Sequence, residues 1–110
     1  MTATEPETDG GHPVPDRAAV LHAAGELLRA LSAPVRLAIV AELADGSRCV
    51  HELVTVAGVS QSLVSQHLRV LRGAGLVVAD RRGREMAYRL TDTHVAHIVL
   101  DALKHSEEEL

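Results

Sequence analysis

The sequence predicts a small, mainly α-helical domain with one β-hairpin, in the element order α-α-α-α-β-β-α. Apolar residues recur at helical spacing through most of the 110 residues, and after Gly75 they alternate for one short stretch instead. Tyr88 is the only aromatic residue, so the core must be aliphatic, which suits a compact helical bundle. A core this light would gain from a second copy of the chain, and a homodimer is therefore expected.

The chain divides into an N-terminal arm over residues 1–14 and a folded domain over residues 15–110. The arm is acidic and rich in Thr, Gly and Pro, which predicts disorder, and it lacks the apolar stretch of a secretory signal. No apolar run is long enough to span a bilayer, and Cys49, the single cysteine, can form no internal disulfide. These features predict a cytoplasmic protein with no membrane partner.

Four helices are expected before the hairpin, over residues 15–31, 35–44, 49–57 and 61–72. The second is apolar on most faces and follows Pro34, which suits a first helical position. Gly58 ends the third helix, and Ser60 is a good N-cap for the fourth. The short turn between these two helices gives them the shape of a helix-turn-helix.

The hydrophobic period changes to two between Leu76 and Leu90. Apolar residues alternate there about the turn Arg82-Gly83, which predicts a β-hairpin. Thr91 or Asp92 then caps a last helix that runs to about residue 108. A helix-turn-helix followed by a hairpin makes the predicted fold a winged helix-turn-helix.

The fourth helix is expected to bury one face and to expose a polar stripe. The apolar positions are Leu63, Val64, Leu68 and Leu71. The polar stripe, at i, i+3, i+4 and i+7, comprises Ser62, Ser65, Gln66 and Arg69. Hydroxyl and amide groups near a helix N-terminus can reach base edges in the major groove, and an arginine one turn later can reach phosphate. Such a stripe alone is more often an ordinary solvated helix face.

Positive charge is concentrated where this helix and the hairpin lie. The net charge is −4, yet residues 60–90 carry six arginines against two acidic residues. Three of them, Arg81, Arg82 and Arg84, surround the hairpin tip, and a wing can lie on the DNA backbone or in the minor groove. With the helix-turn-helix, they favour double-stranded DNA, and the lack of aromatic residues argues against single-strand binding by base stacking.

Three segments then carry a family resemblance. They are Leu31-Ser-Ala-Pro-Val-Arg-Leu, the basic wing, and Ser60-Gln-Ser-Leu-Val-Ser-Gln-His-Leu-Arg-Val-Leu-Arg-Gly-Ala-Gly-Leu. Together they resemble the ArsR/SmtB family of winged-helix repressors, over roughly residues 20–108. The resemblance implies a dimer on a palindromic operator, with the base-facing positions occupied by Gln61, Ser62, Ser65 and Gln66. His67 matches a His-Leu pair common in the family, where the histidine can be structural.

The last predicted helix carries two pairs of possible metal ligands, Asp92 with His94 and His105 with Glu108. The two histidines are about 20° apart around the helix axis but about 16 Å apart along it, whereas a metal–nitrogen bond is about 2 Å. The pairs can share an ion only if one pair comes from another chain. Two antiparallel helices crossing near Leu100 would form two such sites in a dimer.

The four residues are also similar, position for position, to the last-helix site of the family's zinc sensors. Two imidazoles and two carboxylates suit tetrahedral Zn(II). The resemblance therefore implies a zinc-responsive repressor that leaves its operator when Zn(II) binds. Simpler explanations exist: Asp92 can be an N-cap, Glu108 part of a solvated acidic run, and the histidines surface residues. His97 would face Ala102 or Leu103 of the partner, which offer no donor, and is expected at the interface.

A second, weaker candidate site begins at Cys49, where thiolate-type sensors of the family carry Cys-Val-Cys. His51 replaces the second cysteine, Glu52 follows, and His12 on the arm could add a ligand. A lone cysteine here is more typical of a small buried residue. Two alternatives stay open: a thiol- or soft-metal-responsive repressor acting through Cys49, and a metal-binding dimerisation protein without an operator. No nucleophile–base pair is evident, so an enzyme is not expected. No small organic ligand is expected either.

Overall fold

The computed structural model describes residues 14–110, which form five α-helices and three β-strands. The helices are α1 (Arg17–Leu31), α2 (Pro34–Leu43), α3 (Val50–Ala57), α4 (Gln61–Gly73) and α5 (Thr93–Glu109). The strands are β1 (Arg48–Cys49), β2 (Val77–Arg82) and β3 (Glu85–Leu90). The predicted fold class, a mainly α domain with a helix-turn-helix and a hairpin wing, is confirmed. Apart from Val14, the expected disordered arm lies outside the described residues, so that division of the chain stays a prediction.

The helix boundaries follow the capping signals. Pro34 opens α2, and Gly58 ends α3 in the left-handed region with φ 69. The Ser60 hydroxyl accepts a hydrogen bond from the Leu63 N–H at 3.1 Å and so caps α4. The Asp92 carboxylate accepts one from the Val95 N–H at 3.2 Å and caps α5. The two helices of greatest functional interest therefore begin at side-chain caps.

The strand β1 is a difference from the predicted element order. Arg48 and Cys49 pair antiparallel with Tyr88 and Ala87, which places β3 between β1 and β2. The predicted start of α3 at Cys49 is wrong by one residue, because Cys49 has an extended backbone and is the N-cap. A strand of two residues is too short to show a hydrophobic period. Its consequence is that the start of α3 is joined to the wing.

The helix α2 lies at the centre of the core. It packs against α3, α4, α5 and β3, and Ile39 and Val40 are completely buried. Val64, Leu68 and Leu71 seat α4 against this core, as expected. Leu63 was expected on the same buried face but is 38% exposed. It lies about 80° or more around the helix axis from the other three, so it falls on the flank of α4.

The helices α1 and α5 leave apolar side chains uncovered in a single chain. Only Ala30 and Leu31 of α1 are buried, whereas Leu21 and Leu28 are more than half exposed. In α5 the exposed set includes Ile98 and Leu100. Neither these two helices nor any other in the described range has the length and apolar character needed to cross a bilayer.

Candidate nucleic-acid interface and metal ligands

The polar face of α4 is open to solvent. α4 is the second helix of the helix-turn-helix and packs against α3 through its apolar side. The exposed side chains on the other side are those predicted: Gln61, Ser62, Ser65, Gln66 and Arg69. Hydroxyl and amide groups thus cluster near the N-terminal end of α4, with the arginine one to two turns further along. Side chains of these types can hydrogen-bond to base edges in the major groove.

The wing carries its free positive charge at its tip. β2 and β3 pair from Val77 with Leu90 to Arg82 with Glu85. The turn is therefore Gly83-Arg84, one residue later than predicted, and Gly83 supplies the positive φ of 63 that this turn uses. Within residues 14–110 the predicted tip arginines Arg81, Arg82 and Arg84 form no ion pair.

Another arginine of the hairpin is already neutralised. Arg89 donates from Nε to a carboxylate oxygen of Asp80 at 2.9 Å, and both side chains are about half exposed. The hairpin therefore separates a paired arginine, on its body, from unpaired ones at its tip. Of the hairpin arginines, only those at the tip have no ion-pair partner among residues 14–110.

The four residues of the terminal pattern lie apart in one chain. Asp92 and His94 are at the start of α5, whereas His105 and Glu108 are near its end, and all four are exposed. Across the described range, no group of three or more His, Cys, Asp and Glu residues is placed to hold a metal ion. A 17-residue helix keeps the two pairs too far apart to share an ion within one protomer.

The side chains of the pattern are nevertheless free to act as ligands. One carboxylate oxygen of Asp92 caps α5, and the other has no hydrogen-bond or ion-pair partner among residues 14–110. The Asp92 backbone is extended (φ −158, ψ 174) and not helical. Within a helix, residues two apart point to different sides, but this restriction does not apply to Asp92 and His94. Two imidazoles and two carboxylates form a donor set that fits Zn(II).

Asp92 and His94 also line an open cleft of about 860 Å³. Its walls come from α1, the C-terminal end of α4 and the start of α5, and most of the exposed lining is apolar. Gly73, the last residue of α4, and Gly75, two residues later, border the same cleft. One pair of candidate ligands therefore lies beside the end of the helix with the polar stripe.

The second candidate site is engaged in other contacts. The Glu52 carboxylate accepts the Cys49 N–H at 2.8 Å, which completes a capping box at the start of α3. His51 Nδ1 lies 3.3 Å from a carboxylate oxygen of Glu85, a wing residue that the sequence did not single out. A hydrogen bond to Glu85 also raises the pKa of the Cys49 thiol. His12, the fourth predicted member, lies outside the described residues.

We expect Glu85→Ala to lower the pKa of Cys49. The substitution removes the hydrogen bond and the negative charge that favour the protonated thiol. Cys49 is the only cysteine, so the rate of alkylation by iodoacetamide as a function of pH reports it alone. The midpoint of that profile should move to lower pH in Glu85→Ala and stay in place in the α1 control Glu26→Ala. Identical profiles for all three proteins would contradict the contact.

Comparisons with known proteins agree with this geometry. A model of the bacterial regulatory proteins of the arsR family matches residues 33–78. The HTH-type transcriptional repressor SmtB of Mycobacterium tuberculosis is 59% identical over 97 residues, which are 88% of this chain and 72% of SmtB. The HTH-type transcriptional regulator NmtR of the same organism is 50% identical over 80 residues, 73% of this chain and 67% of NmtR.

A solved structure shows the same fold. A homodimeric winged helix-turn-helix DNA-binding domain from Mycobacterium bovis, described as a possible ArsR-family transcriptional regulator, superposes with a TM-score of 0.75. Its sequence is 29% identical, and the match covers 90% of this chain and 92% of the other. SmtB and NmtR are named as regulators of transcription and not as enzymes, and the third protein is described as a possible one.

Proposed function

The chain belongs to the bacterial ArsR family of regulatory proteins, and from this membership we propose that it is a zinc-responsive repressor. It is a DNA-binding transcriptional repressor of that family and not an enzyme. The finer proposal is that a homodimer binds a palindromic operator and is released when Zn(II) binds between the last helices. One observation carries it: four exposed donors on α5 that a single helix cannot bring together.

The DNA-binding surface combines α4 with the wing. The polar stripe of α4 would face base edges in the major groove, and the free arginines at the wing tip would contact neighbouring phosphates. In a two-fold dimer the two copies of α4 would enter successive major grooves, so the operator would be palindromic. Such a repressor acts where the DNA is, which places it in the cytoplasm.

The dimer would be formed through α1 and α5. Leu21, Leu28, Ile98 and Leu100 leave apolar surface on these helices that a partner would cover. The homodimeric state of the Mycobacterium bovis domain supports dimerisation of this chain. An antiparallel crossing of the two α5 helices would bring Asp92 and His94 of one chain to His105 and Glu108 of the other.

These four residues would hold the ion by two imidazole nitrogens and two carboxylate oxygens. When bound, Zn(II) supplies a tetrahedral link between the two chains. The ligands on one chain lie at the cleft beside the end of α4 and those on the other lie near the end of α5. Fixing both ends of α5 would select one arrangement of the protomers and hence one spacing of the two α4 helices. Binding of metal and of DNA are then coupled through the dimer geometry.

Asp92 should have two separable roles, and two substitutions distinguish them. Asp92→Ala is expected to lower the free energy of unfolding by about 1 kcal/mol because the cap of α5 is lost. Asp92→Asn keeps a capping oxygen and should lose little stability, yet its neutral amide is a poor ligand. Both variants should respond weakly to zinc. Chemical denaturation and a zinc titration of the DNA complex measure the two roles, and a normal zinc response in Asp92→Asn would remove Asp92 from the site.

The proposed function is tested by a DNA-binding titration with and without zinc. A duplex selected by the wild-type chain from a random-sequence pool serves as the probe. Zinc should lower the affinity for this duplex by roughly tenfold to a hundredfold, the range of ordinary allosteric coupling. Failure to select any duplex would exclude operator binding and favour a metal-binding dimerisation protein. Selection with no effect of zinc would exclude the proposed effector.

The alternative repressor, sensing through Cys49, makes an opposite prediction. It requires Cys49→Ser to lose the response and His105→Ala to keep it. The contacts with Glu85 weigh against this alternative, because a raised pKa leaves less reactive thiolate at Cys49. We therefore expect Cys49→Ser to respond to zinc like the wild type.

A further inference from the structure

Arg36 joins three helices at one point. From α2, its Nε–H donates to the carbonyl oxygen of Ala30, in the last turn of α1. Its Nη1 lies 3.1 Å from Nδ1 of His67, on α4. Both Arg36 and His67 are only partly exposed. One guanidinium therefore satisfies a carbonyl that a helix end leaves without a partner and also holds the helix with the polar stripe.

The chemistry of the two groups fixes the direction of the second bond. A guanidinium has only donors, so Nδ1 of His67 must be the acceptor. His67 is then neutral and carries its proton on Nε2. The hydrogen bond from the guanidinium cation to the neutral imidazole is charge-assisted and directional. It therefore constrains the relative orientation of the two side chains as well as stabilising their contact.

His67 does not face the DNA surface. It lies about 160–200° around the α4 axis from Ser65 and Arg69, two members of the polar stripe. A contact on this side affects the rotation of α4 about its own axis relative to α2. It does not involve the side chains of the polar stripe. The apolar side chains Val64 and Leu68 hold α4 in the core but, being non-directional, leave small rotations open.

We propose that Arg36 and His67 form a positioning pair that sets the rotation of α4 and so the sequence specificity of DNA binding. The proposal rests on the proposed function in one respect, namely that α4 reads the operator. The pair also connects α4 to the last turn of α1, a helix expected in the dimer interface. Arg36 in addition lines the cleft that contains Asp92 and His94.

The test compares His67→Leu, His67→Asn and Arg36→Lys with the wild type. Leucine removes the acceptor but has the higher helix propensity, whereas asparagine retains an acceptor near the position of Nδ1 and resembles histidine in propensity. Lysine keeps the charge of Arg36, but a single ammonium does not reproduce the two-directional donation. Each protein is titrated with the duplex selected by the wild type and with a scrambled duplex of equal length.

We expect His67→Leu and Arg36→Lys to bind the selected duplex about tenfold more weakly, which is the effect of one lost charge-assisted hydrogen bond. His67→Asn should stay within about threefold of the wild type. Affinity for the scrambled duplex should be unchanged throughout, because phosphate contacts dominate it. Thermal unfolding should show His67→Leu at least as stable as His67→Asn, which a purely structural loss would not give.

Two other outcomes overturn the proposal in distinguishable ways. If His67→Leu and His67→Asn bind the selected duplex equally, or lose specific and scrambled binding in parallel, the acceptor has no positioning role while operator recognition still stands. If the wild type selects no duplex, reading of DNA by α4 fails and the proposal fails with it.

Discussion

Replacing His94 with alanine is expected to abolish release of DNA by zinc and to leave DNA affinity without zinc unchanged. The imidazole supplies one of four ligands, and in a two-fold dimer one substitution removes a ligand from both sites. His94 is exposed and lies outside the core, so the fold should persist. The roughly tenfold to hundredfold loss of affinity that zinc causes in the wild type should disappear.

His97→Ala is the matched control for this experiment. His97 is also exposed and lies one turn further along α5, but the antiparallel crossing sets it opposite side chains without donor atoms. Its substitution should leave the response to zinc intact. Titration of the selected duplex with and without zinc measures both variants. If zinc releases wild type and His94→Ala equally, the terminal-helix site does not exist.

Removing the charge of the wing tip should have the largest effect on DNA binding itself. The double variant Arg81→Gln, Arg82→Gln removes two unpaired arginines from each protomer, hence four from a dimer. Affinity at physiological salt should fall by about a hundredfold. The slope of log affinity against log salt should become shallower by about three to four, because fewer counterions are released.

A paired arginine of the same hairpin provides the control. Asp80→Asn with Arg89→Gln removes the ion pair at 2.9 Å and leaves the net charge unchanged. The salt slope should then equal that of the wild type. DNA affinity is measured at several salt concentrations for the wild type and the two double variants, and the three salt slopes are compared. An unchanged slope in the Arg81, Arg82 variant would mean that the wing tip does not contact phosphates.

Local signals in the sequence predicted most of the fold. Ser60 and Asp92 are short polar residues in front of periodic apolar runs, and each caps the helix that follows it. Gly58 likewise ends α3 where expected. Leu63 was misplaced because it is adjacent in sequence to a buried residue although it lies on the flank of α4.

Contacts between distant segments could not be predicted. β1 exists only because β3 offers it a partner, and two residues carry no periodicity. Glu85 reaches Cys49 and His51 only through that pairing, and no pattern in the sequence links Glu85 to these two residues. The Arg36–His67 contact joins residues 31 positions apart, and neither residue stands in a pattern that indicates the other.

The proposed metal site is neither a local signal nor a contact between distant segments of one chain. Here the sequence predicts that one chain alone cannot bring all four ligands to one ion. The separation of His94 and His105 along α5 follows from helix geometry alone. Among the described residues of one protomer, no group of three or more His, Cys, Asp and Glu residues is placed to hold a metal ion. The central claim is therefore that each site takes two ligands from each chain.

A mixed dimer tests this claim most directly. His94→Ala and His105→Ala chains carrying different affinity tags are refolded together, and the heterodimer is isolated by both tags. If the site lies between chains, one site of the heterodimer lacks both histidines and the other retains both. Competition with a chromophoric chelator should then find one tightly bound zinc per heterodimer and none in either variant homodimer. Absence of tight zinc binding in the heterodimer would mean that the site does not join the start of one α5 to the end of the other.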